Sequence, residues 1–480
     1  MMNLAETAVS AALESGASYA DARVNRVERQ NLSLRNGALS DSLDQDDFGV
    51  GVRVIVNGAW GFGAAPGFDA AAAKLAARRA VGAARNLSPL RREPVKLSGE
   101  AGSTSSWTTP VETDPFTVSL ADKLAFLVDA DKTLQGREET VVRIAGFEAR
   151  REEQWQASSE GARLHQRMIR AGAGISNMAR VGTEVERRSW PASFGGNYRS
   201  AGWEYVEELG RGFVEHGPRI RDEAIALCTA DVCPAGERDL ILMGNQLMLQ
   251  IHESVGHPNE IDRVHGHEVD LAGASFATMD KGAFRYGSPI VNLVADPTAR
   301  HGLDTRGFDD DGVASAPFDV VREGEFKGYH TDREWAGRLG LGESHSTSRA
   351  EGWFHPPIVR ITNLSLMPGT WNLDALVADT ADGVLCDTVK MWSIDQRRVN
   401  FQFTTELGWE IKDGEKTRML RRPTYQGSTV EFWNSCDAIC DESHYEMWGV
   451  ANCGKGNPMQ VAEMSHGAAP ARFKNITFVA

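Results

Sequence analysis

Residues 252 to 257 read His-Glu-Ser-Val-Gly-His, two imidazoles and a carboxylate in one short run. These are the side chains that hydrolysis at a catalytic zinc uses. His252 and His257 can hold the ion, while Glu253 stays out of the coordination sphere and takes a proton from a water that the metal acidifies. The spacing sets a geometric problem. On a regular helix at roughly 100° per residue, positions five apart point about 140° away from each other. His252 and His257 therefore cannot share a metal if the helix runs straight through both. Gly256 and Pro258 offer the way out. Glycine takes the left-handed conformation that ends helices, and proline resists continuation. The pattern predicts a helix that unwinds at Gly256 and swings His257 back over His252.

The flanking residues supply the mount. Asp239-Leu240-Ile241-Leu242-Met243 suits a buried strand and Gly244-Asn245 a helix start, after which Leu247, Met248, Ile251 and Val255 recur at helical spacing. An amphipathic helix packed on a sheet, with His252 and Glu253 late along it, is the expectation. A catalytic zinc keeps three protein ligands and one open position, so a third donor must come from elsewhere. His265, His267, Glu268, Glu260 and Asp262 are near, in a polar segment where solvated side chains are the default. The distant candidate is Cys453, in Asn452-Cys453-Gly454-Lys455-Gly456. A cysteine beside glycine and near lysine is accessible, and a neighbouring cation or metal stabilises its thiolate. Spacing alone leaves these candidates open.

At this point the chain resembles the TldD/PmbA metallopeptidases, specifically the TldD-type subunit that carries the metal. Beyond the hexapeptide, the resemblance rests on Asp296-Pro297-Thr298, Gly302, Asp309-Asp310-Asp311-Gly312 and Glu323-Gly324. It continues through Pro357-Ile358-Val359-Arg360-Ile361-Thr362-Asn363, Pro368-Gly369 and Asn452-Cys453-Gly454-Lys455-Gly456. Order and distances agree over residues 233 to 478, and more loosely over the N-terminal half. Carried over by position, the resemblance implies Zn²⁺ on His252, His257 and Cys453, with Glu253 as catalytic base. It further implies a PmbA-like partner or a second copy of the chain, and extended peptides bound through their backbone. One departure stands out. Where family members often show paired glycines followed by valine and aspartate, this chain reads Gly383-Val384-Leu385-Cys386-Asp387-Thr388-Val389-Lys390. That affects the expected substrate wall and leaves the metal ligands untouched.

Composition bounds the remaining classes. With 480 residues the chain exceeds one ordinary core, so two or three domains are expected. A hydrophobic content of 41% and a mean hydropathy of −0.34 describe a soluble globular protein. No run approaches the ~18 apolar residues of a membrane span. Met1-Met2-Asn3-Leu4-Ala5-Glu6 lacks the basic and apolar regions of a signal peptide, and six cysteines without a small-domain pattern suit a reducing compartment. A cytoplasmic location follows as an expectation. The net charge of −15 argues against nucleic-acid binding. Arg150-Arg151 and Arg421-Arg422 read as solvated surface pairs, and the Gly49/Gly51 and Gly61/Gly63 pairs as turn and bulge glycines. Cys436 and Cys440 could join Cys228 or Cys233 in a structural zinc site, though no second pair follows at finger spacing. The twelve tryptophans read as packing residues.

The fold class expected is α+β. Residues 3 to 15 read as a helix with Leu4, Ala8, Ala12 and Leu13 inward. Period-two strands follow, closed by the Asn57-Gly58 hairpin signal. Helices near 70–85 and 117–135 flank a connector at about 88–115, alternating strands run from Val141 to about Trp190, and a helix spans about 200–228. The boundary falls at Cys233-Pro234-Ala235-Gly236. It divides an N-terminal region of helices on antiparallel sheets (1–230) from a strand-rich domain carrying the site (231–480). The chemistry expected is peptide hydrolysis in extended or unfolded chains. A thiolate ligand would leave zinc a weaker Lewis acid, and Lys455 is either placed to help at the oxyanion or simply solvated. Two rivals share these residues. One is a non-cleaving metal-bearing subunit that binds a peptide or partner, and the other an amide hydrolase acting on a small metabolite.

Overall fold

The computed structural model describes every residue except 101, 270–272, 280, 281, 283 and 480. It is an α+β structure whose C-terminal region is rich in strands. Two eight-stranded sheets carry most of it. The first sheet has the strand order Ala59–Pro66, Ala38–Val56, Tyr19–Arg35, Thr140–Ser158, Arg163–Val181 and Thr104–Thr108. All neighbours are antiparallel except the final pair. Asn57 and Gly58 turn the second hairpin with φ of 50° and 75°, the conformation an Asn-Gly turn favours.

Helices Met2–Glu14 and Ala70–Leu87 lay their alanines on Val50, Val52 and Val54. The first helix buries Ala5, Ala8, Val9 and Ala12, while Leu13 faces solvent, against the expectation. Close packing explains the paired glycines. A Cβ on Gly61 or Gly63 would fall 2.2 Å from Ala80 O or 2.4 Å from Ala76 O, and one on Gly49 would enter the Trp353 ring. The ladder between these two strands runs without a register shift, so these are close-approach positions rather than turns or bulges.

In the second sheet, strands Asp382–Ile394, Gly236–Leu242, Ala471–Val479, Thr424–Ser428 and Asn400–Lys412 pair in sequence. The last pairs back onto the first and closes a ring. Leu240, Leu242, Val384, Phe403 and Phe473 of this ring share one core with Leu247, Ile251 and Val255. Helix Gly244–Ile251 is buried at all eight positions. It is therefore a core helix and not the amphipathic one its spacing predicts. Buried ion pairs join the first sheet to the C-terminal region. Arg150 and Arg170 reach Glu463 at 2.9 and 2.8 Å, and Arg53 reaches Asp311 at 2.6 Å. Arg150 is thus an internal tie rather than a surface residue.

Candidate metal centre

The motif helix widens where the sequence predicts that it unwinds. Residues His252–Gly256 form a π-helical turn in which the His257 N–H donates to His252 O, and a 3₁₀ turn, His257–Asn259, follows. A π turn closes over five residues instead of four, which is the spacing of the two histidines. Their ring centroids come to lie 4.6 Å apart. Gly256 has φ −59° and ψ −67°, ordinary right-handed values. Its lack of a side chain serves packing instead, because a Cβ there would lie 2.7 Å from Ile361 Cδ1.

A widened turn frees carbonyls that a buried site must satisfy. Tyr286 Oη donates to Ser254 O at 2.5 Å, and Asn259 Nδ2 to Val255 O at 2.7 Å. Ser254 Oγ donates back to Gln250 O at 2.5 Å and accepts from Trp433 Nε1 at 2.9 Å. The fully buried Trp433 thus braces the turn from beneath.

Cys453 arrives on a hairpin, Glu446–Lys455 with Gln460–Ala468, where it stands opposite Ala462. Donor atoms of His252, His257 and Cys453 lie within 4.8 Å of one another. Cys453 Sγ is 3.4 Å from His257 Nε2. Nitrogen and sulfur ligands of one tetrahedral zinc would stand about 3.5 Å apart, so the donor set fits that ion. All three residues are less than a tenth exposed.

Hydrogen bonds aim the imidazoles. His257 Nδ1 lies 2.8 Å from Glu260 Oε2, an acceptor that holds the proton on Nδ1 and leaves Nε2 to face the thiol. His252 Nδ1 lies 2.8 Å from Nε2 of His466, a residue the sequence reading did not single out. Residues 462, 464 and 466 share one face of their strand with Cys453 opposite, so the hairpin delivers Cys453 and His466 together. Burial drives His252 down to about 4 and keeps His466 well below the usual imidazole range, so both rings are neutral. Burial alone would push the Cys453 thiol up, but His257 and Arg360 outweigh it and hold the thiol below its ordinary value.

Glu253 is 8% exposed and paired with Arg398, a second residue that no spacing signal pointed to. Burial would raise its carboxyl, yet His257 and Arg398 outweigh burial and hold it below its ordinary value. Lys455 is neither solvated nor aimed at an oxyanion. It is fully buried and donates to Glu260, Asp262 and Val359 O at 3.1, 2.8 and 2.6 Å. Glu260 and Asp262 therefore support this cluster, and Lys455 with Arg263 holds Glu260 well below the usual carboxylate range despite its burial.

His265 and His267 are exposed and pack on Trp335, with His265 stacked at 4.5 Å. Glu268 accepts from Gly456 N–H at 3.1 Å, at the end of the Cys453 hairpin. Cys228, Cys436 and Cys440 fall in three separate apolar clusters. Among the described residues only His252, His257 and Cys453 gather as a metal-capable group. Where the paired glycines are missing, Val384 and Cys386 fill the apolar core with Leu240 and Leu242.

Three family models cover almost the whole chain. The PmbA/TldA metallopeptidase C-terminal domain matches residues 237–479, the central domain 113–224 and domain 1 20–84. The chain belongs to the PmbA/TldD metallopeptidase family. The metalloprotease MJ0996 of Methanocaldococcus jannaschii is 25% identical, with 95% of each chain covered. A zinc metalloprotease TldD homolog of Saccharolobus solfataricus is 24% identical over 50% of this chain and 51% of its own. In fold, TldE from Thermococcus kodakarensis superposes with a TM-score of 0.76 at 15% identity, covering 99% of this chain and 100% of that one.

Proposed function

We propose that this PmbA/TldD protein is a zinc metallopeptidase cleaving extended or unfolded chains, with His252, His257 and Cys453 as zinc ligands and Glu253 as general base. The observation that carries the reading is the convergence of three buried donors within 4.8 Å, two of them flanking the turn that also carries the Glu253 carboxylate and the third brought in by the Cys453 hairpin. Zinc held there would supply Lewis acidity to water and to the scissile carbonyl. The chain's own residues do the rest. Glu253 accepts the proton of the attacking water and passes it to the leaving amine. Arg398 keeps its carboxylate ionised and oriented. Glu260 fixes the ring of His257, and Lys455 and Arg263 fix Glu260.

Each of the four site residues is less than a tenth exposed, which argues against a folded substrate. A PmbA-like subunit or a second copy as partner, and a cytoplasmic setting, complete the proposal. The TldE-like fold and the metalloprotease and TldD names of the relatives support it.

One observation favours the non-cleaving rival. Glu253 is tied to Arg398 in a buried ion pair, which weakens a base. The test is metal analysis and hydrolysis of an unfolded protein on one preparation, before and after chelation. About one zinc per chain is expected, with cleavage lost on its removal and regained on its return. Cleavage that survives complete removal, or a chain that takes up no zinc, overturns the proposal. Zinc uptake without cleavage selects the rival.

A further inference from the structure

Beside the proposed ligands lies another buried histidine. His466 is 0% exposed, and both of its ring nitrogens are committed. Its Nδ1 lies 2.9 Å from Leu364 O and its Nε2 lies 2.8 Å from His252 Nδ1. A backbone carbonyl only accepts, so His466 Nδ1 carries a proton, and with His252 read as a ligand through Nε2, His466 Nε2 is the acceptor in the bond between the two rings. His252 must then carry its own proton on Nδ1, which leaves the lone pair on its Nε2.

We propose that His466 is the positioning residue for the metal centre: a neutral imidazole, anchored on Leu364 O, that fixes the tautomer and ring orientation of His252 so that Nε2 faces the ion. The proposal rests on the reading of His252 as a ligand. The two motif histidines are then served differently, His257 by the Glu260 carboxylate and His252 by an imidazole that stays neutral. A carboxylate in both places would add a second negative charge beside a thiolate. A neutral acceptor aims the ring without that charge, and so preserves more of the Lewis acidity that Cys453 already reduces.

The hairpin makes the arrangement cooperative. His466 stands opposite Trp448, on the face that carries Ala462 opposite Cys453, so one rigid element sets both the thiol and the residue that aims His252. Ser465 N–H donates to Asn363 Oδ1 and Gly467 N–H to Ser365 Oγ, each at 3.0 Å. These bonds flank His466 and tie its strand to the segment that supplies Leu364 O.

The test compares zinc affinity, by competition with a chelating dye, in the full-length parent and in His466→Gln, His466→Asn and His466→Leu. Glutamine places an amide oxygen where Nε2 stood and can still accept from His252. Asparagine keeps a donor for Leu364 O but is too short to reach His252. Removal of such a support costs about 10–100-fold in metal affinity. Leu and Asn should therefore weaken zinc binding by that factor, and Gln should restore most of it. The absorption spectrum of the cobalt-loaded protein should broaden in Leu and Asn, while its sulfur-to-cobalt band persists.

Parental affinity in Leu or Asn overturns the proposal, and so does a Gln variant no tighter than Asn. The Gln-to-Asn comparison decides the question if the Leu variant does not fold. Loss of the sulfur-to-cobalt band in Asn would mean that the hairpin has moved, which also overturns a role confined to His252. A parent that binds no zinc removes the metallopeptidase reading and this inference with it, an outcome distinct from zinc held equally by all four proteins.

Discussion

Gly256→Ala separates the two explanations for the motif glycine. At φ −59° and ψ −67° the backbone suits any L-residue, so alanine gains helix propensity of up to about 1 kcal/mol there. Against that, its Cβ would sit 2.7 Å from Ile361 Cδ1, 3.2 Å from Cγ2 and 3.3 Å from Cγ1. Overpacking of this kind in a tight core costs about 1–3 kcal/mol. The expected net loss is about 1–2 kcal/mol, with reduced zinc occupancy because the π turn must shift. Ile361→Val deletes only Cδ1, the atom in closest conflict, and by itself costs about 0.5–1.5 kcal/mol. The double variant should accordingly be more stable than the sum of the two singles by about 1 kcal/mol. Urea-unfolding midpoints of the four proteins, with zinc per chain measured on each, give the cycle. If glycine were needed for a left-handed bend, alanine would be penalised whatever stood at position 361. Strict additivity, or an alanine variant as stable and as zinc-loaded as the parent, would refute the packing argument.

Further outcomes follow from other contacts. Cys453→Ser should sharply lower zinc content while Cys436→Ser, in the apolar core, should not; full retention in Cys453→Ser would remove Cys453 from the ligand set. Glu463 is held at about 2 despite burial by Arg150, Arg170 and Arg349. Against an unfolded value of about 4.3, this contributes roughly 3 kcal/mol of stability, present above about pH 4.3 and lost as pH falls towards 2. Glu463→Gln should forfeit about that amount at pH 7 and flatten the acid limb of a stability-against-pH curve; an unchanged limb would count against the tie. Lys455→Met should destabilise by about 3–5 kcal/mol in thermal unfolding, because it removes the buried cation shared by Asp262 and Glu260 and leaves Glu260 with Arg263 alone against its charge. A merely small loss would return Lys455 to the surface role its sequence context suggests.

The sequence showed the α+β class through its two periodicities, because Val50, Val52, Val54 and the Asn57-Gly58 turn obey local rules. It failed where tertiary contacts decide. Helical spacing of Leu247, Met248 and Ile251 reads as amphipathic, but Asn245, Gln246 and Gln250 are buried too. Tyr425, from a distant strand, accepts from Gln246 Nε2 and donates to Gln250 Oε1. The Gly256 pattern correctly signalled a departure from a regular helix, yet a glycine required by Ile361 looks the same in sequence as one required by a positive φ. His466 and Arg398 were invisible because their partners lie 214 and 145 residues away. The alternation around Ala462, Met464 and His466, read as a hairpin partner of Cys453, was the one available hint. Lys455 beside two glycines looked solvated, since nothing local reveals Glu260 and Asp262 waiting for its charge.

The most direct measurement is zinc content and hydrolysis of an unfolded polypeptide on one preparation of Glu253→Gln. The substitution keeps size and removes the proton acceptor, and His252, His257 and Cys453 remain. Zinc should match the parent while cleavage falls by about 10²–10⁴-fold, the typical loss for a general base. Loss of zinc together with cleavage would make Glu253 a ligand, and cleavage near the parental rate would remove it from the mechanism.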